Sequence, residues 1–322
     1  MVYIIYDGKN EIKTHKDVFS ETIREIAAED PAVVYLDADL MNSSGTMKFA
    51  QENKKQALNC GVQESNMVGI AAGLSSVGKK PYIHSFGPFA SRRCYDQVFL
   101  SVAYAKNSVR IFGSDPGVTA AFNGGTHMPF EDMALMRAVP ESTVIDITDG
   151  VMLTKVLKLV KDRPGLTYIR STRKNYRTMF REDSDFEIGK GIILRDGTEA
   201  TVFACGLMAG EAMEAAQILE KEGISLRVVN IFTVKPIDSE LIIRCAKETG
   251  AIVTAENHNV IGGLGSAVAD VLVQNCPAPM EFVGVKDEFG EVGPQEYLME
   301  RFGLLAADIV KSVKTVIKRK AK

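Results

Sequence analysis

Tryptophan is absent from this 322-residue chain, and histidine occurs only four times, at His15, His84, His127 and His258. Imidazole is the side chain that titrates near neutral pH, so each of the four can be weighed singly. The five cysteines are widely spaced with no Cys-x-x-Cys pair. That odd, scattered set argues against a disulfide framework or a zinc site and leads us to expect a reducing, cytoplasmic setting. No window approaches 18 uninterrupted apolar residues, and the apolar start, residues 1–7, is too short and too poor in basic residues for a signal sequence. We therefore expect a chain that is neither exported nor membrane-spanning. Charge of one sign is also missing: Lys plus Arg number 38 against 41 Asp plus Glu, a net charge of −3. This balance makes nucleic acid and anionic membranes unexpected partners, although a local basic cluster can still bind a small anion. The chain contains no P-loop, no Gly-x-Ser-x-Gly and no His-Glu-x-x-His.

Hydrophobic residues make up 46% and charged residues 25%, the balance of a folded globular protein. At roughly 150 residues per domain the length predicts two domains. Short apolar runs at 33–37, 81–85, 109–113, 143–147 and 166–170 alternate with helical periods at 17–29, 64–77 and 95–105. This is the pattern of an α/β protein with a mostly parallel sheet. Residues 174–187 are polar, charged and aperiodic, and read as a linker between a domain at 1–173 and another at 188–322. In the second, strands are expected at 200–205, 225–230 and 251–255, with helices at 209–222, 238–249, 264–275, 294–302 and 306–318. The fold class expected is two three-layer α/β domains with mostly parallel sheets.

Few residues stand out chemically. His127 lies in the Gly-rich turn Asn123-Gly124-Gly125-Thr126-His127-Met128-Pro129, and His258 directly follows a strand, as catalytic groups on α/β folds often do. On composition alone an ordinary loop histidine is the commoner reading of each. Gly262-Gly263-Leu264-Gly265 resembles half of a dinucleotide fingerprint, but it lacks the third glycine and the acid about 20 residues on, so a helix-start turn is the better reading. Glu64 opens an Ala/Gly-rich helical segment, where its interaction with the helix dipole is explanation enough.

Longer stretches carry a resemblance. Glu64-Ser65-Asn66-Met67-Val68-Gly69-Ile70-Ala71-Ala72-Gly73, Ser85-Phe86-Gly87-Pro88-Phe89-Ala90 and Gly124-Gly125-Thr126-His127-Met128-Pro129-Phe130-Glu131-Asp132 resemble the C-terminal half of a transketolase. Glu256-Asn257-His258, Gly262-Gly263-Leu264-Gly265 and Asp287-Glu288-Phe289-Gly290 continue it in collinear order. The resemblance implies the pyrimidine-binding domain of the thiamine-diphosphate fold followed by a transketolase C-terminal domain. It also implies a split enzyme. An N-terminal partner subunit would supply the diphosphate- and metal-binding domain, with Mg2+ or Ca2+ held mainly there. Two such pairs would form an α2β2 heterotetramer, and this chain alone would be inactive.

By the same resemblance, Glu64 hydrogen-bonds the pyrimidine of thiamine diphosphate and favours the tautomer that generates the ylide attacking a ketose carbonyl. Phe86 stacks on that ring with Phe89 close by, and His127 contacts sugar oxygens at the reacting carbons. Asp39 and Leu40 match an acidic-Leu motif at the cofactor edge. Ser43, Arg173 and Lys16 match positions that bind the far phosphate, with Arg93 and Arg170 as basic neighbours. The reaction implied is transfer of a two-carbon ketol unit from a ketose to an aldose.

Two positions depart from the family. Asn123 stands four residues before His127 where an acid reads a sugar hydroxyl, and Asp115 stands twelve before it where a histidine binds phosphate. A carboxylate facing a phosphate dianion is repulsive. An altered anionic substrate is therefore expected: a modified, branched or sulfonated sugar, or a sugar phosphate held differently. The competing readings are the β subunit of a 2-oxoacid dehydrogenase and a non-catalytic, partner-stabilising subunit.

Overall fold

The computed structural model describes residues 1–320. Its first-half strands are β1 (Val33–Asp37), β2 (Ala57–Asn59), β3 (Lys80–Phe86), β4 (Val109–Ser114), β5 (Thr143–Asp146) and β6 (Leu166–Ser171). The second half carries β7 (Ile192–Arg195), β8 (Ala200–Ala204), β9 (Leu226–Asn230), β10 (Thr233–Lys235), β11 (Ile252–Asn259) and β12 (Met280–Val285). The first sheet runs β10-β5-β6-β4-β3-β1-β2, and the second runs β12-β11-β8-β9-β7. Both are parallel except where β10 pairs with β5 and β7 with β9. Every residue of β1, β4, β5 and β6 is buried. Helices on both faces of a parallel sheet demand this, which is why these strands read as mostly apolar runs without strict alternation.

One expectation needs correction, and two further features are decided by tertiary contacts. The segment 95–105 does not form one α-helix: it is a single turn, Tyr95–Gln97, that runs into a π-helical stretch, Val98–Tyr104. Apolar period alone does not distinguish the two windings. The segment 174–187 contains no helix or strand, yet it is not a free connector. Tyr176, Met179 and Phe180 are buried, and the segment bridges to Ile4 and Asn10 of the N-terminal arm. The backbone N–H groups of Met179 and Phe180 donate to Asp149 Oδ2 at 3.0 and 2.8 Å. Finally, β10 belongs by sequence to the second half but is an edge strand of the first sheet, so each half completes the other.

The halves also share a buried ionic cluster. Arg170 at the end of β6 has no exposed surface, and its guanidinium lies 3.1 Å from Asp132 and 3.4 Å from Asp146 while donating to the Asn257 carbonyl at 3.0 Å. Arg170 is therefore a structural residue at the domain junction, not a substrate contact. His258 is equally enclosed, 3.8 Å from Asp132, and burial pulls its pKa down to about 3.

Candidate active site

Parallel strands deliver their carboxyl ends to one edge of a sheet, where the following loops are free to carry chemistry. At that edge β1 ends at Asp37, β3 at Phe86, β4 at Ser114 and β6 at Ser171, in register Asp37↔His84, Phe86↔Ser114 and Ser114↔Ser171. Alternation along β3 sends neighbouring side chains to opposite faces. Ser85 meets Glu64 on one face, its hydroxyl donating to Oε1 at 3.0 Å. His84 points the other way and bridges Asp37 at 2.8 Å and Ser114 at 3.0 Å.

Glu64 starts the helix Glu64–Ser76 and is 2% exposed, with Oε2 paired to Arg93 at 3.0 Å. Arg93 also lies over the Phe89 ring at 3.7 Å. It is thus a partner of the carboxylate and of an aromatic face. Phe86 and Phe89 are half-buried, and the His127 ring stands edge-on to both, at 5.8 and 5.0 Å. Burial lowers the His127 pKa from its ordinary 6.5, and the Arg93, Arg173 and Arg92 guanidiniums lower it further. The imidazole is therefore neutral at pH 7, able to donate from one nitrogen and accept at the other. An NMR pH titration is expected to give a His127 midpoint below 6.5 that moves up in Arg93→Gln.

Asp115 corrects the sequence reading most sharply. Its carboxylate accepts from the Arg173 backbone N–H at 3.0 Å and from Arg173 Nε at 2.5 Å, so it is turned toward a guanidinium rather than toward a substrate anion. Burial raises its pKa, and Arg173 opposes that shift. The Arg173 guanidinium lies 4.8 Å from the Phe86 ring centre. Lys16 joins through its backbone N–H to the Arg173 carbonyl at 3.2 Å, and its side chain lies along Gly45, two residues past Ser43.

Glu64, Phe86, Phe89, Arg93, Asp115, His127 and Arg173 are therefore one constellation. The structure does not bring Asp39, Leu40 or Asn123 into contact with it. Asp39 is exposed and bonded to Asn59 at 2.8 Å, the Leu40 N–H is taken by Asp37, and Asn123 lies exposed beside Phe122. Sequence reasoning missed Asp37, Ser85 and Asn257. Asp37 sits two residues before the acid that was named, but only pairing of β1 with β3 reveals it as the buried one. His258 is enclosed beside Asp132 and Glu256 instead. The glycine-rich start of helix Leu264–Asn275 is already capped by Glu256, which accepts from Leu264 and Gly265 N–H at 2.6 and 2.8 Å, so no phosphate is needed there. On the far side of the 125–131 loop a cleft of about 920 Å³ is lined by Arg92, Thr126, Glu131, Asp287 and Phe289, and includes neither Glu64 nor Phe86.

Residues 12–179 match the transketolase pyrimidine-binding domain and residues 189–309 the transketolase C-terminal domain. The chain belongs to the transketolase family. It is 47% identical to the 6-deoxy-6-sulfo-D-fructose transketolase subunit SqwH of Clostridium sp. (strain MSTE9), over 98% of both chains. It is 33% identical to one of the subunits of the apulose-4-phosphate transketolase of Phocaeicola vulgatus, over 94% of this chain and 96% of that one. A solved structure described as a split-gene transketolase, inactive β4 tetramer, superposes with TM-score 0.88 at 39% identity, covering 95% of this chain and 99% of the other. The chain corresponds to the C-terminal subunit of a split transketolase, an enzyme that transfers a two-carbon ketol unit. The split form implies an N-terminal partner and a multi-subunit assembly, and the transketolase family implies thiamine diphosphate as cofactor. The dehydrogenase and non-catalytic alternatives are not favoured.

Proposed function

We propose that this transketolase subunit builds the pyrimidine half of a thiamine-diphosphate site and reads the far end of a ketose carrying a terminal anion, with a sulfonated ketose such as 6-deoxy-6-sulfofructose as donor. The observation that carries this is the constellation itself: a buried carboxylate, two aromatic faces and a neutral imidazole at one sheet edge, with Arg173 beside them. That donor set fits an aminopyrimidine ring, which needs flat apolar contacts and one acid to share a proton with a ring nitrogen. Similarity to the sulfofructose enzyme supports the substrate class.

When bound, thiamine diphosphate supplies the acidic carbon that attacks the ketose carbonyl. Glu64, held by Ser85 and Arg93, shares a proton with the ring nitrogen. Phe86 and Phe89 orient the ring at little entropic cost. Neutral His127 would hydrogen-bond through its N–H to the sugar oxygen on which negative charge develops, and its other nitrogen would accept the hydroxyl proton released as the carbon–carbon bond breaks. Arg173 and Lys16, with Ser43 nearby, hold the terminal anion, while Asp39 and Leu40 flank the cofactor edge and Asn123 the sugar. Among the described residues no group of three His, Cys, Asp or Glu side chains is placed to hold a metal ion. We assign the Mg2+ or Ca2+ to the partner, the stoichiometry to α2β2, the domain limits to 1–173 and 188–322, and the location to the cytoplasm.

Calorimetric titration of thiamine diphosphate with magnesium tests the shared site. We expect no binding to this chain alone and binding once the N-terminal subunit is added. Tight binding to the isolated chain, or none in the mixture, would refute it. Turnover of pyruvate with a lipoyl acceptor would instead restore the dehydrogenase reading.

A further inference from the structure

Asp115 occupies a left-handed turn, φ 58°, directly after β4, and is 2% exposed. Such backbone is uncommon for any residue but glycine, and aspartate and asparagine tolerate it best. The turn is clamped from the other domain. Asn257 Nδ2 donates to the Pro116 carbonyl at 2.9 Å, and its Oδ1 accepts from Val118 N–H at 3.0 Å. Gly117, φ 53°, lies so close to Asn257 that a Cβ there would collide with the amide. The Asp115 carboxylate is thus fixed rather than adjustable.

Asp115 contacts Arg173 through the backbone N–H and Nε, which leaves the two terminal guanidinium nitrogens without a partner among the described residues, beside the Phe86 face. Lys16 makes no ion pair among the described residues. Of Arg173, Lys16 and Asp115, the three charged side chains that the reading above sets around the terminal anion, the carboxylate offsets one of the two positive charges. A phosphate monoester carries about −1.5 to −2 at pH 7. A sulfonate carries a single negative charge at any pH at which the protein is folded.

We propose that Asp115 is a specificity-determining positioning residue: by cancelling one of the two cationic charges and directing the Arg173 terminal nitrogens across Phe86, it tunes the terminal-anion site to a monoanionic sulfonate over a dianionic phosphate. This rests on the reading of the site given above. The charge is removed at source by Asp115→Asn, which keeps an acceptor for the Arg173 N–H and suits the same backbone.

The test uses the assembled two-subunit enzyme with 6-deoxy-6-sulfofructose and fructose 6-phosphate as alternative donors for one aldehyde acceptor. Wild type is expected to favour the sulfonate in kcat/KM. In Asp115→Asn the preference should move toward the phosphate by roughly a hundredfold, the scale of one charge acting over about 6 Å at an effective dielectric near 20, with the shift falling in KM. Equal weakening of both donors would show that Asp115 merely shapes the turn and would overturn the proposal. Should the asparagine variant fail to fold, Asp115→Gly, suited to positive φ, makes the same comparison. A wild-type enzyme that uses neither donor would remove the underlying reading of the site, whereas one that uses either donor, with the ratio unchanged by the variant, removes the charge role alone.

Discussion

Glu64→Gln in the assembled enzyme is expected to lower kcat by roughly 10²–10⁴-fold, the loss typical when a positioned acid–base group is removed. Glutamine has the same shape and can accept the Ser85 hydroxyl bond, so the helix start and the pocket wall should persist. What it cannot do is share a proton with a weakly basic ring nitrogen. It also leaves the Arg93 guanidinium, 3.0 Å from the present carboxylate, facing an amide. Thiamine diphosphate affinity should fall far less than kcat, because the Phe86 and Phe89 faces remain. Single-turnover kinetics and a calorimetric titration on the same preparation separate the two effects. A kcat within tenfold of wild type, with cofactor bound, would show that Glu64 holds the ring without handling its proton.

Arg170→Met should cost about 3–5 kcal/mol of stability at pH 7–8, the usual penalty for removing one partner from a buried ionic cluster. Asp132 and Asp146 would then share an enclosed space with no counter-charge. Burial already pushes the Asp146 carboxyl up to about 6 against the pull of Arg170, and it raises Asp132 as well. Without the guanidinium both rise further. A carboxyl with a higher pKa in the folded than in the unfolded chain favours the folded state at low pH, and that advantage is lost as pH rises through the folded value. The variant should therefore recover stability between pH 8 and pH 5, as the two acids take up protons. Urea unfolding at a series of pH values measures this. A pH-independent loss would mean that the defect is one of packing rather than of charge.

Arg170 also shows where reading by motif position runs out. It sits three residues before Arg173, and nothing in the sequence separates an arginine that closes a domain junction from one that meets an anion. The two point to different sides because β6 ends at Ser171: Arg170 is still inside the pleat and reaches the second domain, while Arg173 is past the edge. Asp115 teaches the same lesson. Charge alone predicted repulsion of a substrate anion, but the turn after β4 aims the carboxylate at Arg173. His127 and His258 were indistinguishable as loop-associated histidines until one proved half-buried among aromatic rings and the other wholly enclosed.

The parallel sheets, the helix starting at Glu64, the helix starting at Leu264 and the membership of Glu64, Phe86 and His127 in one motif set were all determined by the sequence alone. The first three rest on local signals, short apolar runs and helical period; the last rests on the resemblance of the motifs to those of transketolases. The placement of β10 in the other half's sheet, the tying of 174–187 to the N-terminal arm, the Asn257 clamp on the Asp115 turn and the pairing of Arg93 with Glu64 were decided only by tertiary structure. Each joins residues tens to more than a hundred positions apart, through hydrogen bonds or charges that satisfy groups brought together by tertiary packing. A polar side chain's partner is chosen by what burial leaves beside it, and no pattern local to the chain records that choice.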